Sequence, residues 1–541
     1  MIERHIAGRA ASPGIALGPI VRFVPEAHTR LPSATIELEM QALHAALRTA
    51  LRDLRELVNR SEPDAVEILG FQIALLEDDA LAEPAFAAIA QRRAAHEAWH
   101  DAMTAEAAGY ESSEDEYFRA RAADLCDLRD RVLAALAGSL SAPEVPPGAI
   151  VAAVDLAPSR FLAIDWSRGG GLVLTAGSPT SHVAMLARSR GVPAVVGLGV
   201  DLAELAGDAL VDAHRGVLIV NPSAAARARF ELDIQTATAK RDIANAAARR
   251  PAVTLDGTPI RIMLNIADPS ELSGLDPVMC DGIGLVRTEL LFHDRHELPD
   301  EEHQYAVYRR IAEWAHGRPV TIRTLDAGGD KPIPNLTLAA ESNPFLGVRG
   351  LRLSFARPDV FRVQLRALAR AAVHGNVKIM LPMVTLPREL AEARAMLDEE
   401  VALLHAARIP ARRPSLGIMV EVPAAAIVAD QFDADFFSIG SNDLTQYVAA
   451  AGRDIAAVAD LADPVQPAML RLLRHVVETA EKKQIDVSLC GDAGGDPNAI
   501  PLLLGTGLRC LSMAPTLVGS AKLAVAAVDL RTLPELAPWL R

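Results

Sequence analysis

The stretch from Leu416 to Asp443 reads LGIMVEVPAAAIVADQFDADFFSIGSND. Two short apolar runs, Leu416 to Glu421 and Phe436 to Ile439, flank an Ala-rich segment, and each run ends on polar residues: Val420-Glu421-Val422-Pro423 and Ile439-Gly440-Ser441-Asn442-Asp443. Strand, helical connection, strand is the repeating unit of a parallel sheet. The alternation continues on both sides of this stretch beyond Pro251, with strand signals at Ile260 to Asn265, Gly282 to Val286, Val320 to Arg323, Val377 to Leu381, Val487 to Leu489 and Cys510 to Met513. Eight strands with intervening helices across about 290 residues fit a (β/α)8 barrel. A doubly wound open sheet is the competing arrangement, but no Gly-rich dinucleotide fingerprint follows any of the eight strands.

Upstream, Pro222 to Arg250 is Ala-rich, carries interspersed charges and contains no internal proline or glycine, so it reads as a solvated connecting helix. Before it, short strand signals at Ala149 to Val154, Gly171 to Leu174, Val192 to Val196, Ala209 to Asp212 and Val217 to Val220 predict a compact α/β domain. Ile20 to Phe23 is expected to join that domain, and Ala10 to Pro19 reads as turn-rich. Between these parts Leu38, Leu43, Leu47, Leu51, Leu54 and Leu57 recur at helical spacing, and Val66 to Leu81, Glu83 to Ala107 and Asp115 to Ala137 continue the pattern. Four or so amphipathic helices make an inserted bundle of about 100 residues, closed by a Pro-, Gly- and Ser-containing linker from Ser139 to Gly148.

A chain of 541 residues holds about three or four domains. A net charge of −15 with 4% aromatics argues against a nucleic-acid surface and against an anionic membrane as partner. No apolar run reaches membrane-spanning length, and Met1 to Gly14 lacks the apolar core of a signal peptide. The four cysteines have neither metal-type nor disulfide-framework spacing, which predicts a reducing, cytoplasmic setting.

In such a barrel the chemistry lies at the carboxyl ends of the strands. There the sequence offers Arg287-Thr288-Glu289, then Arg323-Thr324-Leu325-Asp326 followed by Gly328-Gly329-Asp330-Lys331, then Glu421, Asn442-Asp443 and Cys490-Gly491-Asp492. Arginines suit a phosphate or carboxylate because the guanidinium donates as a bidentate fork. Glu421 and Asp443, from neighbouring strands, suit a hard cation such as Mg2+ with substrate completing its shell, although either alone reads more readily as half of a structural ion pair. Cys490 is either a small buried hydrophobe or a protonated thiol able to give a proton to a carbon base such as an enolate. Together these groups describe phosphoenolpyruvate chemistry. A receiver for the phosphoryl group is offered by Gly177-Ser178-Pro179-Thr180-Ser181-His182, which delivers two hydroxyl residues and a histidine to the first turn of a short helix. Free amides and the helix dipole there would stabilise an anion on the ring; the alternative is an N-cap followed by an ordinary histidine.

With these runs the chain resembles enzyme I of the bacterial phosphotransferase system, the phosphoenolpyruvate-protein phosphotransferases, over essentially all 541 residues. The resemblance is carried by Ala11-Ser12-Pro13-Gly14-Ile15-Ala16, by Thr180-Ser181-His182 through Val192-Pro193-Ala194-Val195-Val196-Gly197, by Gly284-Leu285-Val286-Arg287-Thr288-Glu289, by Asn343-Pro344-Phe345-Leu346-Gly347 and by Phe436 to Tyr447. It implies a swivelling phosphohistidine α/β domain (1–32 plus 139–222), an inserted helical domain binding the carrier protein HPr (33–138), a linker helix (223–251) and a (β/α)8 TIM barrel that binds phosphoenolpyruvate and dimerises (252–541). It further implies His182 as the phosphorylated residue and Arg287, Arg323, Arg349, Arg453 and Asn442 as substrate contacts. Glu421 and Asp443 would be the Mg2+ ligands and Cys490 the proton donor. A cytoplasmic homodimer that starts sugar uptake is the expected setting. No sensory domain precedes Met1, which favours the transport branch over a nitrogen-type regulatory relay, and a dikinase or synthase would need a nucleotide-binding domain for which the bundle leaves no space. The sequence departs from the family pattern at Gly177-Ser178-Pro179 in place of Gly-Gly and a variable residue, at Gln72 where many members have histidine on the carrier-docking helix, and at Ser441 and Asp492 for Thr and Glu.

Overall fold

The computed structural model describes residues 3–23, 33, 35–58, 63–111, 116–138, 145–179, 181–293, 298–328, 333, 336–337, 341, 343–452, 455 and 458–532. The chain divides into two compact units, Met1–Thr236 and Ala237–Arg541.

In the first unit, strands β1 (Arg4–Ala7), β2 (Arg9–Ser12) and β3 (Ile15–Phe23) precede five helices, α1 (Ile36–Val58), α2 (Pro63–Glu77), α3 (Asp79–Ala90), α4 (Ala95–Glu111) and α5 (Glu116–Ala137). After them come β4 (Ile150–Ala153), α6 (Pro158–Ala163), β5 (Gly171–Leu174), α7 (His182–Ser189), β6 (Ala194–Val196), β7 (Asp208–Asp212) and β8 (Val217–Val220). The eight strands form one sheet ordered β1-β8-β7-β3-β4-β5-β6-β2. β3 and β4 are parallel neighbours although the whole helical bundle lies between them in sequence, so the bundle is an insertion into the α/β layer.

Two sequence expectations change here. Ala10 to Pro19 is strand on both sides of a turn rather than turn throughout: Arg9–Ser12 pairs with β6, and Ile15–Pro19 pairs with β7 before β3 switches partner to β4 at Ile20. Pro19 sits at that switch, where a residue without an N–H does least harm to a ladder. The run Glu83 to Ala107 is two helices, not one, because the chain reverses where Arg92 adopts a left-handed φ of 69°. The upstream break falls before Pro84, at Asp78, whose side chain caps α3 by accepting from Ala80 N. The bundle core follows from spacing: Leu43, Ala46, Ala50 and Leu54 line one face of α1 and pack with Trp99, Met103, Leu125, Leu128 and Val132.

Helix α8 (Ala224–Ala248) spans the division between the units and is largely exposed, as its composition predicts. In the second unit β9 (Arg261–Ile266), β10 (Ile283–Val286), β11 (Pro319–Arg323), β12 (Asn376–Leu381), β13 (Ser415–Val420), β14 (Phe436–Ile439), β15 (Asp486–Leu489) and β16 (Cys510–Met513) are all parallel. β16 pairs with β9 and closes the barrel, which excludes the open sheet. Outward-facing Leu264, Ile283, Ile379, Ile418 and Phe437 pack under the helices, against residues such as Tyr308, Leu365 and Leu473. Inward-facing Leu285, Met380, Met419, Phe436 and Cys490 fill the barrel axis. None of the four cysteines is in a disulfide. Among the described residues no helix is long and apolar enough to cross a membrane.

Candidate active site

The carboxyl ends of the barrel strands carry a buried ionic cluster. Arg323, at the end of β11, places Nη2 3.0 Å from Glu289 Oε1 and Nη1 2.9 Å from Asp326 Oδ2. Arg349 donates from Nη2 to Asp326 Oδ2 at 2.9 Å and to Asp443 Oδ2 at 3.2 Å, so one guanidinium bridges two strand ends. Glu289 Oε1 also accepts from Asp326 N. Burial opposes the charge on both arginines, but the surrounding carboxylates outweigh it and hold both guanidiniums firmly protonated. Arg323 Nε, buried, has no partner among the described residues. Arg287 is exposed beyond β10. Glu289 and Asp326, both within quoted strand-end runs, received no role from the sequence, yet they order the two arginines.

Four carboxylates, Glu289, Asp326, Glu421 and Asp443, therefore face two buried guanidiniums. Glu421 feels the surplus of negative charge. Its pKa is pushed up to about 8 by burial and then by repulsion from Asp326 and Asp443, with Arg323 and Arg349 pulling the other way. Its Oε1 accepts from Met383 N at 2.6 Å. A divalent cation would relieve this surplus, and an all-oxygen set is what Mg2+ takes, so Glu421 and Asp443 fit the group. Among the described residues no cluster of three or more His, Cys, Asp or Glu forms a self-sufficient metal cage.

Asn442 and Asp492 lock two neighbouring strand ends together: Asn442 Nδ2 donates to Asp492 Oδ2 at 2.9 Å, and Asp492 N donates to Asn442 Oδ1 at 3.0 Å. Gly491 lies between them, where an added Cβ would sit 1.8 Å from Ser441 Oγ and 2.9 Å from Asn442 Oδ1. Gly491→Ala is expected to destabilise the barrel by about 1–3 kcal/mol through overpacking, measured by urea unfolding.

Cys490 is 3% exposed and its Sγ donates to Ile439 O at 3.6 Å. Burial pushes the thiol up to about 11, against a hydrogen bond from Ser438 that favours the thiolate. The group is thus protonated at neutral pH. A raised pKa means less thiolate at any given pH, so alkylation of Cys490 is expected to keep climbing with pH to about 11 instead of levelling near 9, followed by mass spectrometry of the Cys490 peptide.

In the first unit, α7 begins at His182 and Ser181 is its N-cap, accepting from Ala184 N at 3.3 Å. The preceding loop is fixed by its backbone carbonyls: Arg9 donates to Gly177 O at 2.9 Å and Arg188 to Pro179 O at 2.8 Å. The His182 side chain, Thr180 and Arg453 lie outside the described residues, as do Gly329, Asp330 and Lys331. Gln72 is fully buried, its amide donating to Asp127 Oδ2 at 3.0 Å. It is therefore an internal residue and not part of an exposed docking face.

Comparison with known proteins agrees with this architecture. The N-terminal domain of PEP-utilising enzymes matches residues 7–121, their mobile domain residues 145–216 and their PEP-binding domain residues 241–530. The phosphoenolpyruvate-protein phosphotransferase of Geobacillus stearothermophilus is 39% identical over 534 residues, covering 96% of this chain and 92% of that protein. The protein of that name from Listeria monocytogenes is 36% identical over 550 residues, covering 99% and 96%. The multiphosphoryl transfer protein of Rhodobacter capsulatus is 38% identical over 532 residues, covering 96% of this chain and 64% of that longer protein. With its helical insertion, its α/β layer and its closed barrel in one order, the chain belongs to the phosphoenolpyruvate-protein phosphotransferase family of PEP-utilising enzymes.

Proposed function

We propose that the barrel takes the phosphoryl group of phosphoenolpyruvate, passes it to His182, and that His182 hands it to the histidine of a small phosphocarrier protein of the HPr type. The observation that carries this reading is the convergence, at the strand ends of one barrel, of two buried arginines and a surplus of carboxylates with a protonated thiol nearby. Arg287, Arg323, Arg349 and Arg453 bind the phosphate and carboxylate of the substrate, and Asn442 is a further contact. Arg349 can trade Asp443 for a substrate oxygen without losing a charge partner, since Asp326 still holds it. Glu421 and Asp443 hold Mg2+, which when bound neutralises charge on the phosphoryl oxygens.

The imidazole of His182 attacks phosphorus in line as the bond to the enolate oxygen breaks, and Cys490 then gives its proton to the methylene carbon, yielding pyruvate. His182 must meet both the barrel mouth and the carrier, so residues 1–32 plus 139–222 swing as a phosphohistidine domain about the 223–251 linker helix. The carrier docks on the helical domain, residues 33–138, and residues 252–541 join two copies into a cytoplasmic homodimer. The test is incubation with phosphorus-labelled phosphoenolpyruvate and Mg2+, followed by peptide mapping. Acid-labile label on the His182 peptide, chased to a carrier protein, is expected; no label, or label only from ATP, overturns the reading.

A further inference from the structure

The proposed cycle leaves Cys490 as a buried thiolate after each proton it gives, and the thiol is 3% exposed. The barrel axis offers a supply. Asp486, Ser488 and Cys490 occupy alternate positions along β15 and its first following residue, so all three share the face turned to the axis. Ser438, on β14, is the register partner of Ser488. The Ser488 hydroxyl donates to Ser438 Oγ at 3.2 Å, the Ser438 hydroxyl bonds to the Cys490 thiol, and Cys490 Sγ in turn donates to Ile439 O. Both serine hydrogen bonds run toward the thiol.

Exposure falls along the same line. Asp486 is exposed at the amino-terminal pole of the barrel, where it bonds Arg261 and Lys378 at 3.1 Å each; Ser488 is half-buried and Ser438 is fully buried. A pair of serines could serve only to satisfy one another inside the barrel. That role needs no contact with the thiol and no path to solvent, and this pair has both.

We propose that Ser438 and Ser488 form a proton relay that recharges Cys490 from water at the amino-terminal pole of the barrel, opposite the substrate mouth. The inference rests on the reading of Cys490 as proton donor to the enolate. When the C–H bond of pyruvate forms, the electron pair of the S–H bond stays on sulfur. The thiolate then takes the Ser438 hydroxyl proton, Ser438 takes that of Ser488, and Ser488 takes one from water, which leaves as hydroxide. The sum is enolate plus water giving pyruvate plus hydroxide, with both hydroxyls restored. Ser438 acts through Cys490 and is a positioning and relay residue, not a catalytic one.

The test uses the full chain with Mg2+ and follows exchange of pyruvate methyl protons for deuterium by NMR. Ser438→Ala is expected to lower kcat for exchange by about tenfold or more while KM for pyruvate holds, and Ser488→Ala to lower it less. Ser438→Thr, which keeps a hydroxyl, should recover kcat to within about threefold. Wild-type exchange in Ser438→Ala overturns the relay and points to recharging through the mouth. Ser438→Thr as slow as Ser438→Ala also overturns it, because the position then matters for packing alone. Wild-type exchange in Cys490→Ala instead removes the parent reading, a result separate from either.

Discussion

His182→Ala is expected to abolish retention of label from phosphoenolpyruvate, a loss of at least about 10⁴-fold relative to wild type, while pyruvate methyl exchange in the barrel continues. The expectation combines two independent halves of the chain. Alanine offers no nucleophile, so phosphorus has no acceptor. The local fold has supports other than this position: the cap of α7 is the Ser181 hydroxyl on Ala184 N, and the loop before it is held through the carbonyls of Gly177 and Pro179. Alanine is moreover the best helix former. The barrel cluster is assembled wholly from residues of the second unit, so enolate chemistry should survive. Persistent label on the variant would place the acceptor elsewhere. Loss of exchange along with label would mean that the imidazole takes part in the enolate step.

The barrel was legible because its strands are short, apolar and separated by helical runs, and all eight lie within about a residue of their expected bounds. β1 and β2 escaped because Arg4–Ala7 has one buried residue and Arg9–Ser12 only two, with no apolar alternation to announce them; pairing with β8 and β6 makes them strands. The split after α3 turns on one left-handed residue, Arg92, a position that composition does not mark. At the site, strand ends could be read as one list, which put Arg323, Glu421, Asp443 and Cys490 on one face. What sequence cannot supply is which carboxylate meets which guanidinium. Glu289 is brought to Arg323 by the parallel pairing of β10 and β11, a spatial fact, while Asp326 reaches it from three residues further along the same strand end. Burial is likewise invisible in sequence, and it is burial that keeps the Cys490 proton in place.

Arg349→Met is expected to be the most damaging single change in the barrel, costing about 3–5 kcal/mol of stability and about 10²–10³-fold in phosphoryl transfer. The side chain is only 5% exposed and joins Asp326 to Asp443. Methionine fills much of its volume, so the loss is one of charge: Asp443 loses its guanidinium and Asp326 keeps only Arg323, with Glu421 close by. The surplus of negative charge grows by one, and binding a proton or a cation relieves it. This gives the prediction a second arm. If Glu421 and Asp443 hold Mg2+, added Mg2+ should raise the barrel's urea midpoint more in Arg349→Met than in wild type, because the cation replaces a missing positive charge. Arg349→Lys separates the two roles. It restores the charge without the fork, so it should recover most of the stability and little of the activity. A loss of under about 1 kcal/mol in Arg349→Met would mean the cluster is solvated and its members are ordinary surface pairs. An equal Mg2+ shift in both proteins would move the cation away from Asp443.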